Sequence, residues 1–148
     1  MAKQFEMTGS MRRGTAMLKK MLRFGLPMGP LVLLSVRGRK TGTTYSTPVA
    51  VVRQNGSRWL VAAFGEVNWV HNIRAAGQAD LLHGRRPERI KVVELGAAEA
   101  APILKQFLEK FQIVPFIRPY FDTSAKSPIT AFEREAIYHP VFRIISSD

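Results

Sequence analysis

Short apolar runs bounded by turn residues follow one another from residue 31 onward. They predict three consecutive strands, over Leu31–Val36, Tyr45–Arg53 and Arg58–Phe64. The Asn55-Gly56 pair between the last two is a strong hairpin signal. Pro48 cannot donate a ladder hydrogen bond, so it predicts an edge position or a bulge in the second strand. Two antiparallel connections in a row indicate a meander.

The later part of the chain repeats this pattern. Ala79–His83 and Glu88–Leu95 are predicted to form a second hairpin around the turn Gly84–Pro87. Ile137–Ile145 is predicted to be the last strand, in which Pro140 marks a bulge or an edge.

Three other segments show apolar residues at helical spacing. Helices are predicted over Thr8–Phe24, over Trp69–Ala76 with Asn68 and Gly77 as its caps, and over Ala98–Phe111. Residues 25–30 contain two glycines and two prolines and are predicted to be a linker. Residues 112–131 are predicted to be irregular.

About six mostly antiparallel strands with helices between the hairpins indicate a mainly β, α+β fold that resembles a barrel. A single domain is expected at this length. Within it, residues 1–30 form an N-terminal amphipathic helix and linker, and residues 31–148 form the barrel.

Composition narrows the class of protein. The 148 residues can bury one sizeable core, and the absence of cysteine excludes disulfides, thiolate metal sites and cysteine nucleophiles. The N terminus lacks the pattern of a signal peptide, and the longest apolar run, Pro30–Ser35, is too short to span a bilayer. We expect a cytoplasmic protein that is either soluble or peripherally attached to a membrane.

Charge is unevenly distributed along the chain. Lysine and arginine number 22 against 11 acids, a net charge of +11, and no acid lies between Met7 and Gly65, where ten basic residues occur. Such a field attracts nucleic acid, acidic lipid or a phosphorylated small molecule. Charge alone does not choose among these partners.

The first predicted helix is cationic and amphipathic. Its apolar stripe consists of Met7, Met11, Thr15, Leu18, Met21 and Leu22, and its basic face of Arg12, Arg13, Lys19, Lys20 and Arg23. One interpretation is a helix packed on the core with a solvated basic face. The other is contact with an anionic membrane or an acyl chain.

The turn Arg37-Gly38-Arg39-Lys40-Thr41-Gly42 is the first candidate for chemistry. Two glycines allow a sharp turn that exposes N–H groups, and Arg39, Lys40 and Thr41 add two cations and a hydroxyl, a combination suited to phosphate. A basic hairpin turn with solvated side chains is the alternative. A strand follows it, so it is not a Walker A loop.

Other catalytic patterns are missing from the sequence. His71, His83 and His139 lack the spacing of paired metal ligands, so no metal site is expected. There is no Gly-x-Ser-x-Gly nucleophile elbow and no Gly-x-Gly-x-x-Gly dinucleotide fingerprint.

The order of several elements resembles the deazaflavin (F420)-dependent nitroreductase family. These elements are Gly38-Arg39-Lys40-Thr41-Gly42, Thr47-Pro48, Trp59-Leu60-Val61-Ala62-Ala63 and Asn68-Trp69-x-x-Asn72-Ile73-x-Ala75. The resemblance implies a split β-barrel of the flavin and deazaflavin oxidoreductase superfamily. It also implies coenzyme F420 as the cofactor, with flavin mononucleotide (FMN) as the alternative.

The resemblance further implies the residues that contact the cofactor. These are Arg39, Lys40, Thr41 and Gly42 at its phosphate, Pro48, Ala62 and Ala63 along the strands, and Trp69 and Asn72 on the helix that closes over it. No catalytic side chain is assigned, because a cofactor of this kind carries the hydride while the protein orients it.

Aromatic residues indicate an apolar substrate pocket. Phe64, Phe116, Tyr120 and Phe121 are its candidates. They favour a lipid-like substrate, a quinone or a nitro compound. The alternatives are a lipid or fatty-acid carrier without turnover and a basic nucleic-acid-binding protein, although no specific nucleic-acid motif is visible. A monomer and a homodimer are equally compatible with the sequence.

Overall fold

The computed structural model describes residues 9–24, 31–111, 121, 123–124 and 126–146. Its strands are β1 (Leu31–Arg37), β2 (Thr44–Gln54), β3 (Ser57–Val61), β4 (Gln78–His83), β5 (Arg86–Glu94) and β6 (Val141–Ser146). Its helices are α1 (Gly9–Arg23), α2 (Asn68–Ala76), α3 (Ala97–Phe111) and α4 (Ile129–Glu135).

The six strands form a closed antiparallel barrel in the order β1-β2-β3-β6-β5-β4. The predicted α+β class, the six strands and the β1-β2-β3 meander are therefore confirmed. The barrel closes where β4 pairs with β1, with Leu81 opposite Leu34. β6 lies between β3 and β5, with Phe142 opposite Leu60.

The local signals at β2 are confirmed. Pro48 faces Leu33 of β1, and the β2–β3 ladder begins only at Ala50, so Pro48 lies where β2 has one partner strand. Asn55 and Gly56 have φ values of 51° and 79°, the left-handed conformations that a two-residue hairpin needs.

Alternation along the strands divides the apolar residues into two clusters. Inward residues such as Val32, Leu34 and Val51 fill the barrel together with Trp69 and Ile73 of α2. The second cluster lies outside the barrel wall, where α3, α4 and Phe121 cover residues of the opposite parity. The barrel wall is therefore buried on both faces at β2 and β3, and α2 closes one end.

The structure corrects several helix and strand predictions. Val67, not Asn68, is the N-cap of α2, and no side chain caps it, whereas Gly77 ends the helix in the left-handed conformation as predicted. α4 begins in the stretch that was expected to be irregular and ends just before the predicted start of the last strand at Ile137. The backbone N–H groups of residues 137–139 donate to carbonyl groups in the last turn of α4. β6 therefore begins only after Pro140, which is neither a bulge nor an edge residue of that strand.

The third strand ends earlier than predicted because the chain bends after Val61. The N–H of Ala63 donates to the carbonyl of Val61 (3.0 Å) and that of Gly65 to the carbonyl of Ala62 (3.1 Å). These two tight turns direct the chain toward α2.

An ion-pair cluster lies at the barrel end that carries the β2–β3 and β4–β5 hairpin turns. Arg58 donates two hydrogen bonds to Glu88 (2.8 and 2.7 Å), and His83 Nε2 lies 2.8 Å from the same carboxylate. The hydrogen bonds from Arg58, helped by His83, hold the pKa of Glu88 at about 2. Among the described helices, none is long and apolar enough to cross a membrane.

Candidate functional site

The β1–β2 connection is a tight turn at the barrel end that α2 closes. The N–H of Gly38 donates to the carbonyl of Thr43 (2.7 Å), and the N–H of Gly42 donates to that of Gly38 (3.0 Å). Thr41 Oγ1 accepts from the N–H of Thr43 (3.3 Å), which leaves its own proton available for donation. Residues 39–43 are all exposed.

Both glycines of the turn are required by their surroundings. Gly42 has φ 75°, and a Cβ there would lie 3.2 Å from the guanidinium of Arg37. At Gly38 a Cβ would lie 2.6 Å from the Tyr45 ring and 3.0 Å from the carbonyl oxygen of Thr43. The two glycines therefore allow the Arg37 side chain and the Tyr45 ring to lie against the turn.

Asn72 attaches the turn to α2. Its Oδ1 accepts from the backbone N–H of Arg39 (3.1 Å) and from the Arg39 guanidinium (2.7 Å). Asn72 is buried, at 4% exposure, so its amide is fixed by the helix. Two residues assigned to the cofactor thus contact each other, and Asn72 orients Arg39.

The turn presents uncompensated positive charge. No described carboxylate lies within ion-pair distance of Arg37, Arg39 or Lys40; the arginine ion pairs among the described residues use Arg58, Arg74 and Arg89. The backbone N–H groups of Lys40 and Thr41 donate to no described residue. Two adjacent N–H groups, a hydroxyl and three cations form a donor set that fits a phosphate.

The backbone of Ala62 and Ala63 is largely occupied within the protein. The N–H of Ala62 donates to the carbonyl of Pro140 (2.9 Å), and its carbonyl accepts from Gly65 and from His139 Nδ1. The N–H of Ala63 donates to Val61. A planar ring at these two residues would meet their surface rather than free hydrogen-bond donors.

The other residues assigned to the cofactor divide between the two cores. Trp69 is 9% exposed and packs on Phe142 inside the barrel, with ring centroids 5.9 Å apart. Pro48 is half-buried and has the same strand parity as Ala50, which belongs to the outer cluster. The geometry brings Asn72 to the turn and places Trp69 among core side chains one helical turn away.

Two of the four substrate-pocket candidates lie in the described part of the chain. Phe64 packs against the outer cluster, and Phe121 belongs to it, at 4% exposure. Phe116 and Tyr120 lie outside the described residues.

The sequence profile of the F420H(2)-dependent quinone reductase family matches residues 10–112, more than two thirds of the chain. The chain belongs to this family. As a member it is an oxidoreductase and an F420-dependent reductase, which confirms the predicted resemblance and supports coenzyme F420. The match gives no support to FMN. No curated protein matches the sequence significantly.

Solved structures agree with the fold of this F420H(2)-dependent quinone reductase family member. A structure described as a domain-swapped dimer has 19% identity, a TM-score of 0.57 and coverage of 88% of this chain and 95% of its own. An F420-H2 dependent reductase has 21% identity, a TM-score of 0.54 and coverage of 78% and 94%. At these identities the likeness shows the fold alone.

Three features of this family member escaped the sequence analysis. Arg37 was recognised as part of the turn, but the sequence did not predict that its guanidinium lies against Gly42. The Arg39–Asn72 contact joins residues 33 apart, and the His139–Ala62 contact joins residues 77 apart. The spacing between residues carries no signal for either contact.

Proposed function

We propose that this chain binds coenzyme F420 with its phosphate at the β1–β2 turn and reduces a hydrophobic, electron-poor substrate. The observation that carries the proposal is the exposed cationic turn that Asn72 fixes to α2. The contacts with Asn72 contribute to stability with or without a ligand, and they also hold the donors of the turn in place before a phosphate binds.

Each residue of the turn has a distinct task in this proposal. Lys40 and Arg37 attract the phosphate and the acidic tail of the cofactor, and Thr41 donates its hydroxyl proton. The N–H groups of Lys40 and Thr41 give direction to the contact. When bound, the reduced deazaflavin supplies a hydride, so the protein needs no nucleophile of its own.

A quinone or a lipid-like or nitro compound is proposed as the substrate. The name of the family refers to the reduction of quinones. In addition, Phe121 belongs to the outer apolar cluster and Phe64, which lies in the bend at Ala62–Gly65, packs against it. Apolar side chains beside Ala62 and Ala63, along which the family resemblance places the cofactor, favour a substrate with apolar area to bury.

A binding titration tests the cofactor proposal. Purified protein is titrated with F420 and, separately, with FMN, for the wild type, Lys40→Ala and the control Arg53→Ala. Arg53 is exposed on β2 near the hairpin at the opposite end, so its removal changes the charge equally. We expect F420 to bind, Lys40→Ala to weaken it about tenfold, and Arg53→Ala to change it less than about twofold.

Two results would contradict the proposal. Absence of F420 binding by the wild type removes the cofactor site. Equal losses for the two variants show a general charge effect rather than a site at the turn. Oxidation of reduced F420 with a quinone, a nitroaromatic compound and an unsaturated acyl substrate in parallel then identifies the substrate class.

We also propose that α1 makes peripheral contact with an anionic membrane. Arg13, Met17, Lys20 and Phe24 follow one another at helical spacing on the face away from Leu22, which is buried. Met17 and Phe24 are each 66% exposed, so apolar groups stand between cations on the outer surface. This arrangement favours an interface with acidic lipid headgroups.

Vesicle flotation tests this second proposal. We expect the protein to float with phosphatidylcholine–phosphatidylglycerol vesicles and to stay behind with pure phosphatidylcholine. The double variant Met17→Ser, Phe24→Ser should lose most of the binding, while Arg53→Ala should keep it. If the wild type does not bind to the anionic vesicles, the proposal is contradicted.

A further inference from the structure

A network of buried polar side chains lies away from the cationic turn and ends at Ala62, the first residue after β3. Its members are Thr123, Glu135 and His139, with exposures of 5%, 4% and 3%. Burial of polar groups is costly unless each finds a partner. Among the described residues, every buried side-chain nitrogen and oxygen has one.

His139 connects this network of buried polar side chains to Ala62. Its Nδ1 lies 2.9 Å from the Ala62 carbonyl oxygen. A carbonyl can only accept, so Nδ1 carries the proton of this hydrogen bond. Nε2 on the other side of the ring faces Glu135 Oε2 at 3.6 Å.

Glu135 extends the connection to the segment that precedes α4. Its Oε1 accepts from the N–H of Thr123 (2.9 Å) and from the Thr123 hydroxyl (3.2 Å). The Phe121 ring stacks on the His139 ring, with centroids 3.9 Å apart and planes inclined by 7°. The imidazole therefore contacts the predicted substrate residue with its face and the β3 end with its edge.

The carbonyl oxygen of Ala62, which accepts the hydrogen bond from His139, also forms one of the two turns of the bend after β3. The Ala62 carbonyl accepts from both Gly65 and His139, and the Ala62 N–H donates to Pro140, the residue after His139. Removal of the imidazole donor takes away one of the three hydrogen bonds that hold the peptide between Ala62 and Ala63, and it leaves the buried Ala62 carbonyl with Gly65 as its donor.

We propose that His139 is a positioning residue that sets the Ala62–Ala63 backbone against the cofactor and couples it to the substrate segment at Phe121. The proposal rests on the proposed function and on the expectation, implied by the family resemblance, that the cofactor lies along Ala62 and Ala63. His139 itself contacts no reacting atom in this role.

Matched variants separate positioning from simple core packing. The side-chain nitrogen of asparagine can replace the Nδ1 donor, whereas glutamine reaches toward Glu135 and loses that donor. Ile103→Val removes core volume from the outer cluster, to which neither His139 nor Ala62 belongs. Affinity for F420, substrate KM and kcat, and the unfolding temperature are measured for His139→Asn, His139→Gln and this control.

We expect His139→Gln to weaken F420 binding about 5- to 20-fold, the factor of one lost buried hydrogen bond, and to raise the substrate KM. His139→Asn should stay within about threefold of the wild type, although both lower the unfolding temperature. Ile103→Val should lower that temperature with F420 affinity unchanged.

Nuclear magnetic resonance of the protein labelled with 15N-histidine supplies a measurement without any variant. We expect a protonated Nδ1 on His139 whose signal shifts when F420 is added, with His83 at the opposite barrel end as the unshifted reference. A bare Nδ1 overturns the inference. So does a wild type that binds F420 while both variants bind it equally well or equally poorly. A wild type that does not bind F420 overturns the proposed function first.

Discussion

The buried amide of Asn72 allows packing and electrostatics at the turn to be separated by two substitutions of similar size. Asn72→Leu removes the acceptor that takes two hydrogen bonds from Arg39. One of these is neutral and one charge-assisted, about 1 and 2 kcal/mol, but exposed Arg39 can bond to water instead. We therefore expect a loss of about 1–2 kcal/mol in the free energy of unfolding. Asn72→Asp keeps the acceptor and pairs with the guanidinium, so stability should change by less than about 1 kcal/mol.

The expected order of F420 affinity is different from the order of stability. Asn72→Leu should bind F420 about fivefold more weakly than the wild type, because the turn loses its attachment. Asn72→Asp should bind still more weakly, because its carboxylate neutralises Arg39 and repels phosphate. Urea denaturation and fluorescence titration on the same preparations give the two orders.

Either of two results would refute this reasoning. If Asn72→Asp binds F420 as tightly as the wild type, the charge of Arg39 does not contribute to a phosphate site. If Asn72→Leu is destabilised but keeps its affinity, the attachment of the turn to α2 has no role in binding.

Two further predictions concern stability. The pKa of Glu88 is lowered from 4.5 to about 2 in the folded protein, so its contribution to the free energy of unfolding is complete above pH 4.5 and is lost as the pH falls toward 2. In urea denaturation, Glu88→Gln should make the free energy of unfolding depend less on pH over that range. An unchanged pH dependence contradicts the assignment. Gly38→Ala should cost about 1–3 kcal/mol because its Cβ would lie 3.0 Å from the backbone carbonyl oxygen of Thr43 and 2.6 Å from the Tyr45 ring, whereas Gly96→Ala, whose Cβ would meet nothing within 4 Å, should be nearly neutral in thermal unfolding.

Local chemistry made most of the barrel predictable. Asn55-Gly56 can adopt the left-handed conformations that its turn requires, and the short apolar runs of β1 and β2 are typical of strands that are buried on both faces. α4 was missed because it has seven residues and one fully buried aromatic, Phe132. Tertiary packing rather than a repeated pattern stabilises such a helix.

The candidate site was predictable in composition but not in geometry. The glycines and cations of the turn are adjacent in sequence, so their combination was visible. The Arg39–Asn72 and His139–Ala62 contacts depend on barrel closure, which brings distant segments together. No propensity of a single segment encodes such contacts.

The position of β6 has a consequence for biosynthesis. Without it the other strands form an open sheet in the order β5-β4-β1-β2-β3, with two unpaired edges that β6 completes on either side. Its partners lie far back in the chain, since Leu60 faces Phe142, and such distant pairing is slow. The nascent protein therefore carries two aggregation-prone edges until residues 141–146 have left the ribosome, and the yield of soluble protein should depend on how quickly this strand is inserted.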